Sequence, residues 1–191
     1  MFFPFRFAAC LFAITVSLTL PAAASDDEVW QALKSGGHVA MMRHALAPGT
    51  GDPGIFRLND CTTQRNLNDR GRRQAVAIGE AFEANGITEA RVRTSQWCRC
   101  RETAELLGLG HPEDLPDLNS FFESRQNGPR QTAALRQWLG SQSLAEPLVL
   151  VTHQVNITAL TGVFPSSGEI VVFRLLADGA VDVIGTILIS Q

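Results

Sequence analysis

The chain has 191 residues, of which 45% are hydrophobic and 18% are charged, and its formal net charge is −3 at neutral pH. This length and composition suit one globular domain with a sizeable core, once any targeting segment is set aside. The acidic balance excludes an extended nucleic-acid interface, because the basic residues 70–73 are flanked by Asp69 and Glu80 and resemble a solvated helix face.

Residues 1–24 have the pattern of a cleaved secretory signal peptide. Arg6 supplies a positive charge, residues 7–20 form an apolar run without a charge, and small residues precede the acidic segment that begins at Ser25. The run is shorter than the ~18–20 residues that a membrane-spanning helix needs. We therefore expect a mature domain over residues 25–191, located in the periplasm or secreted, without stable membrane insertion. An uncleaved anchor is the alternative.

Export would place the remaining cysteines in an oxidising compartment. Cys61, Cys98 and Cys100 follow the signal segment, so one disulfide and one free thiol are expected. Cys98 and Cys100 are too close in sequence to favour a bond between them, which leaves Cys61 paired with Cys98 or with Cys100. A zinc site is the alternative, but Cys-x-Cys without a second pair is a weak ligand signature, and we expect no metal.

The first half of the mature chain alternates between helix and strand patterns. A short amphipathic helix is predicted over residues 27–35, and a mostly apolar strand follows over residues 38–43. Residues 45–67 are rich in glycine and proline and are predicted to form a long loop, which in a compact domain is often functional. The next predicted helix is capped by Asn68 or Asp69 and ends at an Asn-Gly pair.

The second half continues the alternation. A short strand is predicted over residues 91–95 and a helix over residues 98–107, followed by an irregular segment over residues 111–128. Pro129 is suited to the first turn of another helix. Residues 147–152 form a continuous apolar run, which is typical of a strand covered on both faces.

The last elements complete the predicted fold. A short helix near residues 156–160 precedes two strand patterns, over residues 168–174 and 181–189, joined by an Ala-Asp-Gly turn typical of a hairpin. Alternating strands and helices predict a three-layer α/β/α sandwich with a mainly parallel central sheet, to which the hairpin adds antiparallel edge strands. Ligands of such sheets bind beyond the carboxyl ends of the strands.

Two histidines occupy that position. His44 follows the first strand and His153 follows the strand over residues 147–152, so both are expected at the same edge of the sheet. Arg43 precedes His44, and Arg99 opens a helix beyond another strand end. A guanidinium group matches phosphate oxygens in pairs and keeps its charge, so this arrangement predicts a phosphate-binding site.

Three ordered motifs resemble the signatures of the histidine phosphatase superfamily, whose larger branch includes the phosphoglycerate mutases: Met-Arg43-His44-Ala45, Ser95-x-x-x-Arg99-x-x-x-Thr103-Ala104 and Val-Leu-Val-Thr152-His153. The resemblance spans about residues 37–175. It implies a phosphoglycerate mutase-like fold and hydrolysis through a phosphohistidine at His44, with Arg43, Arg99 and His153 around the phosphate. Phosphoryl transfer demands mainly positioning and charge stabilisation, so no metal or other cofactor is implied.

The chain departs from the usual family pattern at two places. Ala45 follows His44 where the family's usual Arg-His-Gly motif has glycine. Asn119 lies near the position of the glutamate that donates a proton in many members. Glu123 and Asp52 are the candidates for this general acid, although each is also compatible with a surface role. Some exported relatives with Arg-His-Ala lack the usual acid and resemble phosphatases of lipopolysaccharide core sugars. By analogy, we expect a small-molecule or glycan-linked phosphate ester of the cell envelope.

Two further residues are candidates for substrate binding. Arg57 lies in the first loop, where solvation is its alternative role, and Gln154 directly follows His153. The leading prediction is an exported phosphoric monoester hydrolase. The alternatives are a non-catalytic anion-binding protein of the same fold and a phosphomutase, and export argues against the mutase.

Overall fold

The computed structural model describes residues 24–189. The predicted signal peptide, apart from its last residue, lies outside the described residues and stays a prediction. None of the helices within residues 24–189 combines the length and the apolar character needed to cross a bilayer.

The described helices and strands alternate along most of the chain. The helices are α1 (Asp26–Lys34), α2 (Asp69–Ala84), α3 (Cys98–Leu106), α4 (Gly128–Gly140) and α5 (Gln154–Thr161). The strands are β1 (Val39–Arg43), β2 (Arg91–Thr94), β3 (Glu113–Asp114), β4 (Leu148–Thr152), β5 (Ile170–Leu175) and β6 (Val181–Ile187). Short 3-10 turns occur at Cys61–Thr63, Pro116–Leu118 and Arg125–Asn127.

The strands form one sheet with the order β3-β2-β4-β1-β5-β6. Strands β1 to β4 are parallel, whereas β5 pairs antiparallel with β1 and β6 pairs antiparallel with β5. The predicted mainly parallel sheet with an added antiparallel hairpin is therefore confirmed. Strand β3 lies within the segment predicted to be irregular. Its two residues are exposed, so no apolar pattern marks it, and an ion pair between Arg93 and Glu113 links it to β2.

Helices cover both faces of the sheet, which confirms the three-layer sandwich. Alternate residues of a strand face opposite sides, so Ala40 and Met42 pack with α1, α2 and α3 while Val39 and Met41 pack with α4 and α5. All of β4 and nearly all of β1 are buried, which explains why both strands are continuous apolar runs.

Helix ends follow the local sequence signals. Ser25 caps α1 in a reciprocal capping box with Glu28. The side chain of Asn68, not that of Asp69, caps α2 by accepting a hydrogen bond from the backbone of Gly71 at 2.8 Å. Pro129 lies in the first turn of α4, as predicted.

Two glycines allow α2 to approach neighbouring backbone. A Cβ atom at Gly71 would lie 2.0 Å from the carbonyl oxygen of Leu46, and one at Gly79 would lie 2.2 Å from that of Leu107. Both distances are far inside van der Waals contact. Because Gly71 has no side chain, α2 packs directly against the backbone of the loop that follows His44, and this packing helps to position the site.

We expect Gly79→Ala to destabilise the protein by about 1–3 kcal/mol, because the new methyl group must displace the backbone of Leu107. Gly140→Ala at the end of α4 is the matched control, since a Cβ there meets nothing within 4 Å. Helix propensity alone favours alanine by up to ~1 kcal/mol at both positions. Urea unfolding measures both variants, and equal effects would show that the close approach of α2 is not required.

Candidate active site

The carboxyl ends of β1 and β4 bring the two predicted histidines together. Arg43 and Thr152, the last residues of these strands, are paired in register, so His44 and His153 follow side by side. Both side chains are buried, and their ring centroids are 5.5 Å apart. The parallel register of two strands thus builds the centre of the candidate site.

The ring of His44 has one nitrogen fixed as a donor. Its Nδ1 lies 2.7 Å from the carbonyl oxygen of Ala45, which can only accept, so Nδ1 carries the proton. Its Nε2 then has a lone pair, and the Nε of Arg99 lies 3.2 Å away. Burial, followed by the charge of Arg99, lowers the pKa of His44 well below its ordinary value. A neutral ring whose unprotonated Nε2 accepts this hydrogen bond has the form that a nucleophile requires.

The backbone around His44 is held on both sides. The amide of His44 donates to the carbonyl of Thr152 at 2.9 Å, and the amide of Ala45 donates to the hydroxyl of Thr103 at 3.0 Å. Thr103 belongs to α3, one turn after Arg99. The strand end that carries His44 and the helix that carries Arg99 are therefore joined directly by this hydrogen bond.

Arg99 lies at the centre of the polar cluster, with only 3% of its side chain exposed. Its Nε donates to His44, its Nη1 donates to Asp52 at 2.7 Å and to the carbonyl of Arg65 at 3.2 Å. Its Nη2 donates to the other oxygen of Asp52 at 3.1 Å and lies 3.4 Å from Nδ1 of His153. Each of its five N–H groups therefore has an acceptor.

His153 is oriented by its second nitrogen. Its Nε2 lies 2.8 Å from the hydroxyl of Ser95, which is 3.3 Å from the side-chain oxygen of Asn119. A Ser95 hydroxyl that donates to Asn119 accepts a hydrogen bond from Nε2 of His153. Nε2 then carries the proton, and the lone pair of the His153 ring lies on Nδ1, beside Arg99. Burial, then the charges of Arg99 and His44, lower the pKa of His153 well below its ordinary value.

Asp52 is anchored by four donors. Besides the two contacts from Arg99, it accepts hydrogen bonds from the backbone amide of Arg65 and from Nε1 of Trp97, each at 3.0 Å. Burial raises the pKa of the Asp52 carboxyl, but the hydrogen bonds and charge from these partners outweigh burial and lower the pKa below its ordinary value. The group is a carboxylate at neutral pH.

Two more arginines surround the histidines. Arg43 donates to the carbonyl of Pro165 at 3.2 Å, and its buried Nε has no hydrogen-bond partner among the described residues. Arg65 holds the first loop by donating to the carbonyls of Gly51 and Ala47. Burial, followed by the charge of Arg99, lowers the pKa of Arg65 to about 10, so it stays charged at neutral pH.

A cavity of about 650 Å³ opens above these groups. Its walls come from the first loop, the segment before α4, the start of α5 and the α5–β5 connection. Phe56 belongs to the first loop, Phe122 to the segment before α4 and Phe164 to the α5–β5 connection. Trp97 stacks on Phe56 with ring centroids 5.0 Å apart. The cavity thus has a cationic floor and aromatic walls.

The remaining predicted residues are distributed around this cavity. Glu123 is exposed at its edge, and Gln154 lines it while its amide donates to Thr158 at 2.8 Å. Arg57 is exposed and does not line the cavity. Asn119 also lies outside the lining and acts as a brace, because its side-chain oxygen accepts the backbone amide of Gln96 at 2.9 Å.

The lining residues that the sequence did not single out include Arg65, Trp97 and Phe164. Arg65 lies in the same loop as the candidate Arg57, and only the fold shows which of the two turns inward. Trp97 lies between Ser95 and Arg99 in the second motif, so its position was available as a signal. Phe164 carries no sequence signal, and its side chain is 74% exposed beside the cavity.

A disulfide joins Cys61 to Cys98, with Cα atoms 5.7 Å apart, and so selects one of the two predicted pairings. It fastens the first loop to the start of α3, next to Arg99. Cys100 is a free, buried thiol whose Sγ lies 3.5 Å from Nε2 of His153. Burial raises the pKa of Cys100 to about 12, so it stays protonated. Within residues 24–189, no cluster of three or more His, Cys, Asp or Glu side chains is suited to a metal ion.

Comparison with known proteins supports a superfamily and establishes a fold. The family model described as histidine phosphatase superfamily (branch 1) matches residues 39–124 and supports assignment to this superfamily. No significant match is found among curated protein sequences.

Solved structures with the same fold include several phosphatases. The protein histidine phosphatase SixA complexed with tungstate is 18% identical, with a TM-score of 0.54 over 78% of this chain and 96% of that chain. Mycobacterial glucosyl-3-phosphoglycerate phosphatase Rv2419c is 15% identical, with a TM-score of 0.57 over 78% and 97%. Phosphoserine phosphatase from Entamoeba histolytica is 12% identical, with a TM-score of 0.56 over 78% and 95%. At these identities the likeness establishes the fold, and it confirms the predicted phosphoglycerate mutase-like class.

We expect the double variant Cys61→Ala/Cys98→Ala to lose about 2–4 kcal/mol of unfolding free energy, because the bond closes a long loop of the unfolded chain. Urea unfolding with and without reductant measures this loss. Reductant should lower the stability of the unsubstituted protein and of Cys100→Ala, but leave the double variant unchanged. A double variant as stable as the oxidised protein would contradict a stabilising role of the disulfide.

Proposed function

Because the family model and the fold support membership of the histidine phosphatase superfamily, we propose that this chain is an exported phosphatase that hydrolyses phosphomonoesters through a phosphohistidine at His44. The observation that carries this proposal is the neutral His44 ring, with its Nε2 lone pair facing a cluster of arginines. The Cys61–Cys98 disulfide and the signal-like residues 1–24 support an oxidising location outside the inner membrane.

The first chemical step is attack of Nε2 of His44 on the phosphorus atom. As the N–P bond forms, the P–O ester bond breaks and the alcohol oxygen leaves with the bonding electrons and takes up a proton. The phosphorylated ring is cationic, and the hydrogen bond from Nδ1 to the Ala45 carbonyl favours that charge and fixes the direction of attack. In the second step, water attacks the phosphorus and the N–P bond breaks, which restores His44 and releases phosphate.

Charge stabilisation comes from the groups around His44. Arg43, Arg65 and Arg99 all line the cavity with His153, and phosphoryl transfer spreads negative charge over the equatorial oxygens. The buried Nε of Arg43 is an unsatisfied donor, which costs about 1–3 kcal/mol in the free protein. A phosphoryl oxygen that reaches this nitrogen would recover that energy.

The leaving group would lie between the aromatic walls. The phosphatases with this fold are named for substrates as different as phosphoserine and glucosyl-3-phosphoglycerate, so the leaving group has to be inferred from the walls of this cavity. Phe56, Trp97, Phe122 and Phe164 offer apolar ring surface, which suits the apolar face of a sugar ring. We propose a small-molecule or glycan-linked phosphosugar of the cell envelope as substrate.

A non-catalytic anion-binding protein is the second candidate. The bracing role of Asn119 favours it, because turnover of alkyl esters needs a proton donor and an amide near the usual position of the general acid cannot act as one. Binding of a phosphate analogue without release of phosphate from any ester would support this candidate.

We expect the mature chain to release phosphate from para-nitrophenyl phosphate in the presence of EDTA, and we expect His44→Ala to lower kcat by more than about 10³-fold, because the nucleophile is lost. The exposed residue His111 is the matched control, and His111→Ala should keep full activity. Activity of His44→Ala equal to that of the unsubstituted chain would refute the phosphohistidine.

We expect His44 and His153 to remain neutral well below pH 6.5, since burial and the charge of Arg99 lower both pKa values. The unfolded chain binds protons at these rings below about pH 6.5 and the folded protein does not, so folding stability should decrease as the pH falls. NMR titration of the four histidines, assigned with His44→Ala and His153→Ala, tests this directly. A titration of either ring near pH 6.5 would contradict it.

A further inference from the structure

The Asp52–Arg99 pair occupies the floor of the cavity. Both oxygens of Asp52 face the two terminal nitrogens of Arg99, at 2.7 and 3.1 Å. The side chains are only 10% and 3% exposed, respectively. A buried, two-pronged contact of this kind is strong, and Trp97 and the Arg65 amide complete the environment of the carboxylate.

This contact uses the donors that a phosphoryl group would need. All N–H groups of Arg99 already have acceptors, and Asp52 takes the outward-facing fork of the guanidinium. Carboxylate and phosphate bind such a fork in the same geometry. While Asp52 stays in place, Arg99 has no N–H group left for a phosphoryl oxygen, so the two anions must compete.

We propose that Asp52 is a built-in anion that occupies the phosphoryl subsite of the free protein, is displaced from Arg99 by the substrate's phosphoryl group, and then donates the proton to the leaving oxygen. This assignment rests on the proposed phosphatase function, and it gives Asp52, not Glu123, the role of general acid.

The loop geometry allows this movement. Gly49 and Gly51 precede Asp52 with φ values of 94° and 69°, a region that favours glycine, and Pro53 and Gly54 after it are exposed. The disulfide at Cys61 fixes the far end of the loop to α3. Displacement is thereby confined to the segment that carries Asp52, while the helix that carries Arg99 stays in place.

Displacement also changes the protonation of Asp52. The groups that face it are Arg99 from α3, Arg65 and Trp97, with His44, His153 and Arg43 beyond Arg99, and the carboxylate of Glu123 beside the preceding Gly51. Away from Arg99, the carboxylate loses its main stabilising charge and gains a phosphoryl dianion as neighbour. Both changes raise the pKa of Asp52, so substrate binding is accompanied by uptake of a proton.

The proton is then used and recovered. As Nε2 of His44 bonds to phosphorus, the P–O ester bond breaks and the Asp52 carboxyl transfers its proton to the leaving oxygen, which departs as an alcohol. The resulting carboxylate accepts a proton from the water that attacks the phosphohistidine. Phosphate then leaves, the proton returns to solvent and the carboxylate returns to Arg99.

Sulfate is the probe for displacement, because it is a tetrahedral dianion that does not titrate near neutral pH. We expect Asp52→Asn to bind sulfate at least ~10-fold more tightly than the unsubstituted protein, since a neutral amide competes poorly for a guanidinium. Calorimetry in two buffers of different ionisation enthalpy should show proton uptake by the unsubstituted protein and none by Asp52→Asn.

Turnover gives the second signature. Asp52→Asn should lower kcat for glycerol 2-phosphate by about 10²–10⁴-fold and affect para-nitrophenyl phosphate much less, because only the poor leaving group needs the proton. A purely structural residue would weaken sulfate binding and lower both rates equally. Tighter binding combined with selective loss of alkyl-ester turnover is specific to the proposed role.

Two further variants keep the test decisive. Asp60→Asn removes the same charge from the same loop, but Asp60 caps the 3-10 turn at Thr62 and lies outside the cavity, so sulfate affinity and both rates should not change. Trp97→Phe removes one donor to Asp52 but keeps an aromatic ring, so it should tighten sulfate binding, and this measurement remains available even if Asp52→Asn does not fold. Unchanged sulfate affinity in Trp97→Phe would count against displacement of Asp52.

The failures are distinguishable. Equal sulfate affinity in Asp52→Asn and no proton uptake would overturn the role of Asp52, while loss of activity in His44→Ala would still support the phosphatase. The role of Asp52 would also be overturned if Glu123→Gln, and not Asp52→Asn, selectively lost turnover of the alkyl ester. No turnover of either ester by the unsubstituted chain would refute the phosphatase and this inference together.

Discussion

A buried guanidinium is the constraint on which the rest of the site depends. A charge removed from water is costly unless it is paired and fully hydrogen-bonded, and Arg99 lies almost entirely out of solvent. The surrounding structure meets this requirement with one carboxylate, one carbonyl and two imidazole nitrogens. Burial, followed by this charge, lowers the pKa of both histidines, and against the effect of burial, hydrogen bonds from Arg99, Arg65 and Trp97 lower the pKa of Asp52.

Sequence reasoning predicted the part of the site that the sheet itself builds. His44 and His153 follow two strands that are recognisable as apolar runs, and the parallel register then places the residues after them side by side. Arg99 lies in the first turn of the helix that follows a third strand. These positions depend on the periodicity of the elements and on their order along the chain, which the sequence expresses directly.

The sequence did not predict the part of the site that the first loop builds. Arg57 and Arg65 belong to the same predicted loop, yet only Arg65 lines the cavity, and its position depends on the contacts of that loop with Gly51 and Asp52 and on the Cys61–Cys98 disulfide. Asp52 shows the same limit, since no local pattern indicates that it reaches Arg99 across 47 positions of the chain. Strand β3 was missed for a different reason: its two exposed residues bury no apolar face.

The position of the disulfide connects the proposed location of the protein to its proposed chemistry. Cys98 directly precedes Arg99, so the bond to Cys61 holds the start of α3 and the end of the first loop as one unit. In an oxidising compartment this bond would persist and would hold the end of the first loop against α3. In a reducing compartment the loop would keep only its hydrogen bonds to α3, such as those of Asp52 and Gln64. The proposed exchange of one anion for another at Arg99 would therefore benefit from the proposed export, because oxidation would keep the guanidinium in place while its partner is replaced.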